Sequence, residues 1–162
     1  MIRVSLVSTA LSMLCLFCFA QTNVNLVIHH KMDGQDFAMN SPAKNNMDHD
    51  FEFTRLEYYI SGITIIHDNG TATPVPDTWI LVNAVSATEV ELGSFPVTEV
   101  EAIHFTIGVD PEHNHLDPAS FPSSHPLGPK SPSMHWGWTA GYRFLALEGY
   151  GGPQYNQLVQ LH

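Results

Sequence analysis

The chain has 162 residues, with 6 Lys+Arg against 16 Asp+Glu and a formal net charge of −10. A balance this acidic argues against nucleic acid and anionic membrane surfaces as partners, and it attracts cations, metal ions among them. Ten histidines against two cysteines point any metal chemistry toward imidazole and carboxylate ligands.

The first twenty residues read as a secretory signal. Arg3 supplies a short positive segment, Leu6 to Ala20 is almost wholly apolar, and the small residue Ala20 precedes Gln21-Thr22-Asn23. The apolar run is too short, and its flanks are wrong, for a spanning helix. Cleavage after Ala20 and export to the periplasm or beyond the cell are therefore expected, with residues 21–162 forming one domain. Cys15 and Cys18 leave with the signal, and all ten histidines remain. The mature chain then has no disulfide and no thiolate ligand, which excludes blue-copper centres, zinc knuckles and iron–sulfur clusters.

The mature chain reads as strands divided by turns, without a convincing helix. Val24 to His30 alternates, with Val24, Leu26, Ile28 and His30 on one face, and Asp33-Gly34 marks a turn. Phe37 to Asp50 reads as loop. Phe51 to Ile66 is a long β-rich segment, in which Leu56, Tyr58 and Ile60 fall out of phase with Ile63 and Ile65. A bend or bulge is expected at Ser61-Gly62. Asp68-Asn69-Gly70 is a hairpin turn, and Trp79-Ile80-Leu81-Val82 reads as a buried strand. Glu99 to Gly108 alternates, with Ile103, Phe105 and Ile107 on one face and His104 opposite. Asp110 to Ser133 is a loop with six prolines and three histidines, long enough to suggest function or disorder.

The block Met134-His135-Trp136-Gly137-Trp138 carries two of the three tryptophans. As a strand it would place Met134, Trp136 and Trp138 on one face, toward the core, and His135 on the other. After a Gly-rich turn at Gly149 to Pro153, a last apolar strand ends on His162. That abrupt end reads as a fragment or short version of the fold, or as an edge where the sheet stops. Short strands between turn signals, without internal repeats, predict an all-β antiparallel sandwich or barrel.

Several histidines are candidate ligands. In extended chain, His113 and His115, one residue apart, would point the same way and chelate one ion; the alternative is a solvated polar loop. His30 sits at the rim of the apolar face of the first strand, and His162 has the same status on the last. His135 adjoins Trp136. His49, His67, His104 and His125 read as surface or loop residues. Catalytic motifs are lacking: there is no HExxH, GxSxG, P-loop or GxGxxG. A histidine brace needs His as the first mature residue, where Gln21 stands. No catalytic residue is named, and an enzyme is not expected.

Three stretches together carry a family resemblance. Phe53-Thr54-Arg55-Leu56-Glu57-Tyr58-Tyr59-Ile60-Ser61-Gly62-Ile63 resembles the tyrosine–tyrosine–hydrophobic–serine strand of the MbnP-like family, secreted proteins related to the partner protein of methanobactin copper-acquisition clusters. Phe105 to Asp110 with Leu116-Asp117-Pro118 is similar to that family's IGVD…LDP stretch. Met134 to Tyr142 with Leu147-Glu148-Gly149 is similar to its M-x-W-x-W-x-x-G-Y…EG block, and Leu161-His162 falls at its hydrophobic–His pair. The resemblance implies an antiparallel β-sandwich and copper, Cu(I) or Cu(II), as the bound metal. It also implies oxidation of a tryptophan to kynurenine by a di-haem peroxidase partner. Trp136 is the first candidate for that modification and Trp138 the second, with His30, His135 and His162 completing the site. Removing a core Trp side chain costs about 3–5 kcal/mol, so a converted core residue would need a new partner, and a metal would be one. The rival reading is a non-metal β-sandwich that acts as a surface or binding module.

Overall fold

The computed structural model describes residues 21–162; the expected signal peptide lies outside them. The strands in chain order are β1 (Thr22–Ile28), β2 (Lys31–Met32), β3 (Gln35–Asp36), β4 (Ala43–Lys44), β5 (Asp50–His67), β6 (Thr71–Pro74) and β7 (Ile80–Asn83). There follow β8 (Thr88–Phe95), β9 (Val100–Ile107), β10 (His135–Gly137), β11 (Gly141–Tyr142), β12 (Leu145–Gly151) and β13 (Gln157–Leu161). A single 3-10 turn, Pro118–Ser120, is the helical content of the described residues, and no helix there is long and apolar enough to cross a membrane.

The expected all-β antiparallel architecture is what the chain adopts, and it is organised around β5. Eighteen extended residues span about 60 Å at roughly 3.3 Å per residue, longer than any one neighbour can pair. The first half of β5 therefore lies between β12 on one side and β4 and β7 on the other, while the second half pairs with β6 and β9. The phase change expected at Ser61-Gly62 is present. Gly62 takes φ +61°, and the pairing with β9 shifts between Ser61 and Thr64. The shift keeps Tyr58, Ile60, Ile63 and Ile65 on one side despite the odd spacing.

Two apolar layers result. On one face Ile60, Ile63, Ile65, Ile80 and Val82 meet the β1–β8 ribbon through Val24, Leu26, Val90 and Leu92. In β8, Val90 and Leu92 alternate with outward Glu89 and Glu91. On the other face Tyr59, Tyr142 and Ala146 meet Val109, Leu127 and Met134, with Trp79, Leu81 and Phe121 at the margin. This second layer is supplied largely by the long proline-rich loop. Tyr59 and Tyr142 donate their hydroxyls to the carbonyls of Pro126 and Leu127 at 3.1 and 2.6 Å, so the loop is fastened to the sheet.

The Met134–Trp138 block departs from the expected strand. Met134 is buried at 2% exposure, but Trp136 and Trp138 are 53% and 65% exposed. Alternation fails because β10 is only three residues long and Gly137 takes φ +125°. A turn through Thr139 and Ala140 then brings β11 back against β10. The tryptophans are therefore not core anchors, and oxidation of either would leave the core packing intact. Phe105 and Ile107 point to the expected side but stay half-exposed. Among the described residues the β1–β8 ribbon stops short of them, leaving a groove of about 350 Å³.

Gly149 marks a bulge where β12 changes register against β5. A Cβ there would lie 2.1 Å from the Glu52 carbonyl oxygen. Gly149→Ala must push the two backbones apart, an overpacking cost of about 1–3 kcal/mol or more. Urea unfolding should show the loss as a lower midpoint; a midpoint equal to wild type would contradict the close approach.

Candidate metal centre

The sheet edge at β12 and β13 gathers a connected set of polar groups. Arg55 and Glu148 are register partners across β5 and β12 and lie on the loop-covered face with Tyr59. The Arg55 guanidinium is nearly buried. It donates from Nη1 to Glu148 Oε1 at 2.9 Å and from Nε to Glu57 Oε2 at 2.6 Å, and its Nη2 reaches Met134 Sδ at 3.2 Å. Asn83 Nδ2 donates to the other oxygen of Glu57 at 3.0 Å. Glu148 Oε1 also meets His162 Nε2 at 2.9 Å. Burial pushes the Glu148 carboxyl up. The bonds from His162 and Arg55 outweigh that and hold it below the usual carboxylate range.

Trp136 closes this set. Its ring meets the His162 ring edge-on, with centroids 5.3 Å apart and planes inclined at 62°. The Arg143 guanidinium carbon lies 3.9 Å from the Trp136 ring centroid, a cation–π contact. Two of the sequence candidates, Trp136 and His162, are therefore neighbours although 26 positions separate them in the chain. Glu148, Arg55 and Arg143 join them. None of the three was named as a site residue, although an arginine inside the apolar run of β5 was a legible signal of a buried partner.

The other candidates go elsewhere. The His135 ring packs edge-on against Tyr142 at 4.9 Å, and its Nδ1 accepts the Gly137 N–H at 3.1 Å. The neutral ring then carries its proton on Nε2, which is buried without a partner among the described residues. His30 bonds through Nε2 to the Tyr58 hydroxyl at 2.9 Å and lies against Phe37, at the rim of the core as expected. His113 and His115 do not share the extended chain that chelation assumed. The segment is a turn, with the His113 and Asn114 amides both donating to the Asp110 carbonyl. Asn114 Oδ1 accepts the Tyr142 amide at 2.9 Å and pins the middle of the motif. His113 Nδ1 meets Asp110 Oδ1 at 2.6 Å, whereas His115 Nδ1 meets the Trp138 carbonyl at 3.1 Å.

His113 belongs instead to a second cluster that sequence reasoning missed. Trp79 lies between His113 and His125, at centroid distances of 4.5 and 5.8 Å, and its indole N–H donates to Asp110 Oδ2 at 2.6 Å. His125 stacks on Phe121 at 4.7 Å. Among the described residues no three His, Cys, Asp or Glu side chains converge in a metal-holding geometry.

The family described as MbnP matches residues 21–162, the whole described length. This chain belongs to the MbnP family. Its fold is similar to the solved structure of MbnP from Methylosinus trichosporium, with a TM-score of 0.64 and 17% sequence identity. The likeness covers 87% of this chain and 62% of that one, so the chain spans less than two thirds of that relative's length. No curated protein matches the chain. Within this MbnP-family fold, the β12–β13 edge is where the tryptophan block and the final histidine meet.

Burial lowers the pKa of two histidines away from this edge. His30 is lowered by burial and by His29, and His125 by burial, Lys130 and His113. Their folded pKa values lie below the ordinary 6.5, so on acidification the unfolded chain takes up these protons first. Stability is full above that value and falls as the pH drops through and below it. The thermal midpoint should be lower at about pH 5 than at about pH 7.5, and the difference should shrink in a His30→Gln/His125→Gln variant. A double variant with the wild-type pH dependence would remove these two residues from the account.

Proposed function

We propose that this chain is an exported, non-enzymatic copper-binding protein of the MbnP family, reached by its signal peptide to the periplasm or beyond, with His162 and Trp136 at the copper site. The contact between the Trp136 and His162 rings carries the reading. Family membership supports it, since the family is associated with methanobactin copper handling. The donor chemistry fits: imidazole suits copper, and an acidic chain draws in the cation. Bound copper would supply a Lewis-acidic, redox-active centre. His162 would hold it, and Trp136, oxidised to kynurenine, would add an aniline and a ketone beside it.

Trp136 is favoured over Trp138 because it alone of the two has a histidine ring against its own. Its exposure suits oxidation by a separate di-haem peroxidase, the partner proposed for that step. The indole ring gains two oxygen atoms from two peroxide molecules, which leave as water, and hydrolysis then releases formate. His135 is not assigned as a ligand here, because the Gly137 N–H occupies Nδ1 and leaves the proton on Nε2. A second reading, a non-metal surface module, draws on the exposure of Trp138 and, on β13, of Leu158 and Leu161.

Protein isolated from its native host is expected to carry copper. Its Trp136 peptide should show a mass change equal to loss of one carbon and gain of one oxygen, and His162→Ala should abolish copper retention. Metal-free protein with all tryptophans unmodified would favour the surface module instead. Copper retained in full by His162→Ala would move the site elsewhere.

A further inference from the structure

The apolar groove beside β1 lies on the face of the sheet turned away from Arg55 and Glu148, and the copper reading does not use it. We propose that it receives an extended segment of a partner protein. The segment adds a strand to the free edge of β1, sets alternate apolar side chains into the groove and carries Lys or Arg on its outward positions.

Three observations carry it. First, the groove is apolar and roomy. Leu56, Tyr58 and Ile60 of β5, Leu145 of β12, and Phe105 and Ile107 of β9 form its floor, and its volume is about 350 Å³. A cavity of about 150 Å³ admits a benzene-sized group, so two apolar side chains on one face of a strand have room. Phe105 and Ile107 are half-exposed there, whereas Ile103 on the same face of β9 packs against the core.

Second, one wall of the groove is a strand edge. The ribbon contributes Leu26 and Ile28 of β1 and nothing from β8, so the groove opens off the unpaired side of β1. Among the described residues β1 pairs only with β8, and no other backbone hydrogen bond reaches it. The outward N–H and C=O groups of such an edge are a template for one more strand. A bulge sits between Val24 and Asn25, but residues 25–28 keep a regular register. A small apolar molecule would fill the floor and leave this edge unpaired; a strand satisfies both.

Third, charge selects the partner. On the outward face of the ribbon Glu91 lies cross-strand from Asn25 and Glu89 from Val27, and neither strand carries Lys or Arg. An added strand would run about 4.8 Å beyond β1. From there long basic side chains reach across Asn25 and Val27 toward the two glutamates. A second copy would instead bring a formal charge of −10 against −10, which opposes self-association.

The probe is a short synthetic peptide of alternating valine and lysine, with a valine–glutamate counterpart. Isotope-labelled protein is titrated with each and followed by NMR, with amide hydrogen exchange read along β1. The lysine peptide is expected to slow exchange of the outward β1 amides by at least about tenfold and to bind at least about tenfold more tightly than the glutamate peptide. Ile107→Glu, which places a charge on the groove floor, should weaken it by at least about tenfold. Glu89→Lys/Glu91→Lys should reverse the order of the two peptides, and an unchanged order would overturn the basic partner. Unprotected β1 amides at millimolar peptide would overturn the added strand. Equal affinity of the lysine peptide N-methylated throughout would do the same and assign the groove to apolar groups alone. Slow exchange at these amides without peptide would also overturn the partner. In a sedimenting dimer it would assign the groove to a second copy, and in a monomer to the protein's own chain.

Discussion

The structure depends on one strand having to be buried on both faces. β5 contributes Tyr58, Ile60, Ile63 and Ile65 to one apolar layer and Tyr59 to the other. A strand of this length cannot satisfy its backbone with a single partner. Its halves recruit different neighbours, and Gly62 changes the phase between them. Without that change the isoleucines beyond it would turn to the opposite face, because a one-residue slip inverts every side chain. The sandwich, the placement of β12 and the position of Arg55 all follow from this strand.

The two faces are covered in different ways. One receives the β1–β8 ribbon, a regular sheet-on-sheet contact. The other receives the proline-rich loop, which serves as a layer of the core although it has almost no secondary structure. Its prolines limit its freedom before folding, and the tyrosine hydroxyls bond its carbonyls. Leu127 and Phe121 then provide the apolar contact that a strand would otherwise have supplied. The loop length that suggests function or disorder from sequence has this structural reason, and it also brings Asp110, His113 and His125 around Trp79.

The candidate metal edge is a consequence of the same arrangement. Arg55 faces the loop side and must find anions there, since a buried guanidinium left unpaired is costly. Glu57 and Glu148 meet that need, and Glu148 in turn meets His162. Gly149 matters because its bulge lets β12 approach β5 closely just beyond Glu148. Packing thus prepares a carboxylate beside an imidazole and an exposed indole, at the β12–β13 end of the sheet.

Much of the fold was legible because local patterns decide it. The out-of-phase isoleucines announced the bulge at Gly62, Asp68-Asn69-Gly70 announced its hairpin, and Trp79 to Val82 announced a buried strand. The resemblance to the MbnP family, carried by motifs from Phe53 to His162, was likewise present in the residues alone. The direction of the tryptophans was not: a glycine at positive φ and a three-residue strand broke the alternation on which the core reading relied. Nor was the fate of the His113–His115 pair, since a turn anchored by Asn114 replaced the extended chain that would have joined them. Which histidine meets which tryptophan, and that Glu148 and Arg55 stand between the strands, are contacts between residues distant in sequence. Periodicity reports the face a side chain takes within its own strand. Only the register of β13 on β12 and of β12 on β5 decides what lies next to it.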